Sequence, residues 1–110
     1  MELTRTEVFK AINSMDVTNI KEAEGMVILP IAFHTHTYED ADGKEHHVLV
    51  LKDGKSGDLY KTEVQAFIKK YMSYDEAFGS LPDNEKPVMI IKLIVSKKGN
   101  KYVSFDIADQ

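Results

Sequence analysis

Two groups of residues in this 110-residue chain are of types that can do chemistry. The first is a set of histidines. His34-Thr35-His36 puts two imidazoles on one face of an extended strand, because residues two apart on a strand point the same way. His47 follows beyond the turn signal Asp42-Gly43. With Asp42 and Gly43 as a two-residue hairpin loop, Tyr38 lies opposite His47 and Thr37 opposite Val48. Phe33, Thr35, Val48 and Val50 then share the inner face, and His36, Tyr38 and His47 the outer one. Three neutral imidazoles can ligate Zn²⁺ with an open fourth position, and Glu39, Asp40 or Glu45 is at hand as a further ligand or base. Neither a His-Glu-x-x-His run nor a cysteine accompanies them, so no metal and no cofactor is expected. The same ring face, with Tyr38 and His47, can stack on bases instead.

The second group pairs aromatic rings with lysines. Tyr60-Lys61 and Lys101-Tyr102 each put a ring beside a cation, Lys97 and Lys98 crowd the last turn, and Lys52 and Lys92 stand in the same two lysine-rich stretches. Flat π surfaces and cations that follow phosphates are what a single-stranded nucleic acid needs. Tyr102 alternates with Val103 and Phe105 and so points to solvent. Lysines in turns also serve plain solubility, and most tyrosines belong to a core or its rim. Arg5 is the sole arginine. Attraction to phosphate therefore comes from point charges without forked recognition.

The elements that position these groups follow from periodicity. Val64, Phe67, Ile68, Tyr71 and Met72 recur at helical spacing, and Thr62 with Gln65 fits a capping box, which predicts a helix over 62–73 with Phe67 and Tyr71 in the core. Thr4 and Glu7 form a second box before Val8, Phe9, Ile12 and Met15, a short helix packing on the sheet as an appendage over residues 1–16. Strands are expected from Gly25 to Tyr38, His46 to Leu51, Asp58 to Lys61, Val88 to Ser96 and Lys101 to Ile107. Pro30 cannot donate to a ladder, so an edge or bulge belongs there. The order is three strands, helix, two strands. This predicts a mainly β fold, a five-stranded barrel of the oligonucleotide/oligosaccharide-binding (OB) type over residues 24–107, with the helix between strands three and four covering one end. A three-plus-two-strand sandwich and an SH3-like barrel are the runners-up.

One domain is expected at this length. Cysteine is absent, which excludes disulfides and thiol chemistry. No long apolar run and no leader pattern is seen, so a cytoplasmic protein with no membrane partner is expected. The net charge is −4, acids dominating from Glu22 to Glu45. No phosphate-binding Gly-rich loop, nucleophile elbow or kinase set occurs, so no enzyme is expected.

Glu24-Gly25-Met26-Val27-Ile28, the hairpin ending Asp42-Gly43-Lys44-Glu45, Asp58-Leu59-Tyr60-Lys61-Thr62 before the helix, and Ser96-Lys97-Lys98-Gly99-Asn100-Lys101-Tyr102-Val103-Ser104-Phe105 together resemble the single-stranded-DNA-binding proteins of the small protein-primed Bacillus phages. The likeness covers roughly residues 24–107 as order and spacing of elements; the first helix has no counterpart. It implies a non-enzymatic protein that coats displaced single strands in phage DNA replication, with replication proteins as further partners. A protein–protein adaptor or small-ligand-binding barrel is the alternative.

Overall fold

The computed structural model describes residues 2–110; Met1, at the head of the predicted appendage, lies outside them. The fold is mainly β, in two sheets. Helix α1 (Arg5–Ile12) is followed by β1 (Val17–Asn19), β2 (Val27–Ile28), β3 (Pro30–Glu39), β4 (Glu45–Asp53) and β5 (Leu59–Thr62). Helix α2 (Gln65–Phe78), β6 (Val88–Val95) and β7 (Lys101–Ala108) complete the order. One sheet runs β1-β5-β4-β3 and the other β2-β6-β7. The expected barrel does not close: β6 and β7 pair with β2 and with each other, and β5 takes β1 as a parallel neighbour where a closed barrel would seat a strand of the second sheet.

The shortest passage between the two sheets is a single strand-to-strand bend. β2 leads into β3 through Leu29 alone, and the register slips between Pro30 and Ala32, as a proline without an N–H requires. The extra residue reverses the alternation. Ile28 and Phe33, of opposite parity, both reach the core between the sheets and α2, together with Leu49, Leu51, Tyr60, Phe67, Tyr71, Met89 and Phe105. The bend is pinned by Asp53. Its carboxylate accepts from Leu29 N at 3.0 Å, from Ser56 Oγ at 2.8 Å and from Lys55 N at 3.2 Å. Burial alone raises this carboxyl, but the donors from Leu29, Ser56 and Lys55 outweigh it and hold Asp53 below the usual carboxylate range. Gly54 is needed beside it, since a Cβ there would meet Ile31 Cγ2 at 2.6 Å.

The outer face of the first sheet carries a second core. Leu3, Val8 and Ala11 of the N-terminal segment pack on Ala32, Val48, Val50 and Leu59. β4 is thus buried on both faces, with Leu49, Val50 and Leu51 at 0% exposure. The α1 capping box forms as expected, Glu7 N donating to Thr4 Oγ1 at 3.2 Å and Thr4 N to Glu7 Oε1 at 2.9 Å. The α2 box does not. Val64 is its N-cap, Thr62 Oγ1 accepts from Val64 N, and the Gln65 amide turns to Glu63 O. Position 62 still belongs to β5, so its hydroxyl lies two residues ahead of the N-cap.

Two outcomes test this architecture. Thr4→Ala should lower global stability in urea unfolding by about 0.5–2 kcal/mol; were α1 loosely attached, the transition would not move. Asp53→Ala should cost roughly 1–3 kcal/mol by orphaning Leu29 N. With its folded value depressed, the Asp53 contribution is present above the ordinary carboxylate range and is lost as pH falls through the folded value. Parent and mutant stabilities should therefore converge in acid.

Candidate functional site

The β3–β4 hairpin has the longer of the loops open to its sequence. Glu39 pairs with Glu45, Asp40 N donates to Lys44 O at 2.9 Å, and Gly43 takes φ 78°. A three-residue turn with a left-handed glycine replaces the two-residue one. Each partner on β4 therefore moves by one: Tyr38 faces His46, and Thr37 faces His47. A one-residue shift exchanges the faces of a strand. Val48 and Val50 lie outside under α1, not inside as expected. His47 leaves the His36–Tyr38 face, its ring 3.1 Å from Thr37 Oγ1 and 3.0 Å from Glu45 Oε1. The zinc trio His34, His36 and His47 is not assembled, and no group of three metal-ligating side chains occurs among the described residues.

His46 takes the vacated place, a residue the sequence reading passed over. A row of rings runs along the outer face. His34 stacks near His36 at 5.6 Å, His36 lies 6.4 Å from Tyr38, and Tyr38 stacks on His46 at 4.8 Å with 5° between planes. His46 Nδ1 lies 2.7 Å from Glu63 Oε1 and Nε2 lies 2.7 Å from Asp40 Oδ2. Ionised carboxylates only accept, so the doubly protonated ring satisfies both contacts. The bonds to Asp40 and Glu63 raise the imidazole above its ordinary value, and the bond from His46 lowers Asp40 in return. His36 goes the other way: burial, then the neighbouring His34, lowers it, and its Nδ1 is buried without a partner among the described residues.

The expected ring and lysine set divides. Tyr60 is a correction. It pairs with Leu51 on the inner face and is 3% exposed, and burial raises its hydroxyl. Lys61, its neighbour, faces outward and donates to Ser14 Oγ at 2.6 Å beside α1. Lys52 is held 2.7 Å from Glu7. Neither is available to a strand without releasing α1. The rest gather on the β6–β7 hairpin. Tyr102, 40% exposed, stands opposite Ile94, while Val103 and Phe105 point inward as expected. Lys92 shares Tyr102's face and pairs with Asp106 at 2.6 Å. Lys97 and Lys98 are exposed in the tip turn and Lys101 opens β7. None of Lys97, Lys98 and Lys101 has a carboxylate within ion-pair distance among the described residues. A concavity of about 830 Å³ lies elsewhere, and its lining includes Glu2, Asp75 and Glu76, carboxylates that repel a polyanion. No helix of the described residues is long and apolar enough to cross a membrane.

No protein-family model matches the chain, and neither does any curated protein or solved structure.

The His46 clamp has a definite pH sign. A raised folded value means its contribution is complete below the ordinary imidazole value of 6.5 and is lost as pH rises through the folded value. An NMR titration should place His46 above that value, and Glu63→Gln should lower its midpoint. A midpoint unmoved by Glu63→Gln would refute the clamp.

Proposed function

We propose that this chain is a non-catalytic protein that binds single-stranded DNA with little sequence preference, coating strands displaced in phage DNA replication alongside replication proteins. The observation that carries this is the β6–β7 hairpin, where an outward Tyr102 lies next to a tip whose Lys97, Lys98 and Lys101 have no carboxylate within ion-pair distance among the described residues. A ring available for stacking and point charges without arginine give affinity without base readout. The order of meander, helix and hairpin is that of an OB arrangement opened along one seam, and the Ser96–Asn100 turn is the loop that flanks ligand in such folds. The resemblance to the phage proteins points the same way.

The acidic β3–β4 loop opposes a polyanion, and the clamp softens that opposition by placing His46 between Asp40 and Glu63. Titration with oligo-dT at two salt concentrations, followed by tyrosine fluorescence, is the direct test. Tyr102→Ala should lose about tenfold or more in affinity. Lys97→Ala with Lys98→Ala should flatten the dependence of log affinity on log salt. Tyr60→Phe, a change inside the core, should leave binding alone. Absence of binding at low salt would replace this reading with the protein adaptor or small-ligand barrel, whose cleft would respond far less to salt.

A further inference from the structure

Where β5 and β7 fail to pair, the surface keeps a groove. We propose that this groove receives one unstacked nucleobase of the bound strand; the inference rests on the single-strand reading above and adds to it the place where a base enters the protein.

The groove holds about 440 Å³. Its floor is Val64 ahead of α2, Leu93 of β6 and Val103 of β7. The start of β7 at Lys101 and Tyr102 borders one side, and the short turn carrying Lys21 and Glu22 borders the other. This is not a gap that the core requires. Ile20, from that same turn, is 0% exposed and belongs to the core cluster with Val103 and Phe105. Val64 and Leu93 are left half-buried above it. The apolar floor suits the face of a heteroaromatic ring. Cations on both rims suit the phosphates on either side of a base turned out of the strand. Lys21, like Lys101, is exposed and has no carboxylate within ion-pair distance among the described residues. Glu22 is the single carboxylate of the lining. It repels phosphate, so the backbone runs past the lysines, and its oxygens can accept from the N–H edge of an inserted base.

Other occupants fit less well. A free anion has no use for the apolar floor. An apolar peptide side chain leaves both lysines without partners. The groove holds more than one ring, so the base can tilt, in keeping with weak discrimination among bases.

The test compares oligo-dT with an abasic chain of the same length, which keeps the phosphates and removes the bases. The parent should prefer oligo-dT by at least about fivefold. Val64→Phe, which fills the floor, should abolish most of that preference and leave the salt dependence in place. Lys21→Ala should keep the preference and reduce the slope of log affinity against log salt by about 0.7. A parent that binds oligo-dT while Val64→Phe retains the full preference overturns the groove and leaves the single-strand reading standing. Should Val64→Phe fail to fold by circular dichroism, Lys21→Ala decides, since it alters an exposed position; an unchanged slope overturns the proposal. A parent that binds neither oligomer at low salt overturns both readings together.

Discussion

The carboxylate of Asp53 is the point on which this architecture turns. A bent segment that changes sheets must break its ladder, and a break inside a core leaves backbone donors without partners. Asp53 answers this by accepting from Leu29 N at the break while its other contacts, to Lys55 and Ser56, hold the β4–β5 turn. One buried anion thereby fixes a bend and a chain reversal at once. Pro30 has no donor to lose there, and Gly54 allows the close approach. The parity change that results sends Ile28 and Phe33 into one core. It also leaves Ala32, His34, His36 and Tyr38 on the outside, the first under α1 and the rest as a row of rings.

The open seam has an equally local cause. β5 is four residues long, and its free edge is taken by β1 in parallel. The chain then turns through Ile20, whose side chain seals the core. Closure by backbone pairing is replaced by closure with a side chain, which shields apolar atoms but ties no edges together. β7 is left as an outer strand, and Lys70 from α2 covers part of it by donating to Phe105 O and lying 4.8 Å over the Phe105 ring. A lysine on an edge also discourages strand-to-strand aggregation.

Much of this was legible where a single physical signal dominates. The apolar stripe of α2 sets Phe67 and Tyr71 in the core, the Thr4–Glu7 box starts α1, Pro30 marks the bulge, and alternation turns Tyr102 outward. The misses share a different cause. Asp42-Gly43 fits both a two-residue loop and a longer one with Gly43 left-handed, and nothing local chooses between them. That single residue moved His47 off the ring face and brought His46 onto it. The heightened burial of β4 was a usable signal: Val48, Leu49, Val50 and Leu51 form an unbroken apolar run, which speaks for cover on both faces. Tyr60 sits in a strand too short for its alternation to define a face, and the cover over Lys61 and Lys52 depends on where α1 lands, a tertiary fact.

A protein of net charge −4 that meets a polyanion must do so through local imbalance, since charges beyond about 8–10 Å are largely screened in physiological salt. The ion pairs cancel charge locally. His46 offsets one of the two charges of Asp40 and Glu63, Lys52 balances Glu7, and Lys92 balances Asp106. These exposed or half-exposed contacts contribute little to stability one by one. Each 1:1 pair is neutral as a unit, so the field outside the protein is set by the charges that are not paired. Outside these pairs, Lys97, Lys98, Lys101 and Lys21 have no carboxylate within ion-pair distance among the described residues, while Glu2, Asp75 and Glu76 line the wide concavity. In the proposed single-strand reading, the lysines of the tip would set where a strand approaches, and lysine point charges would do so without reading a base.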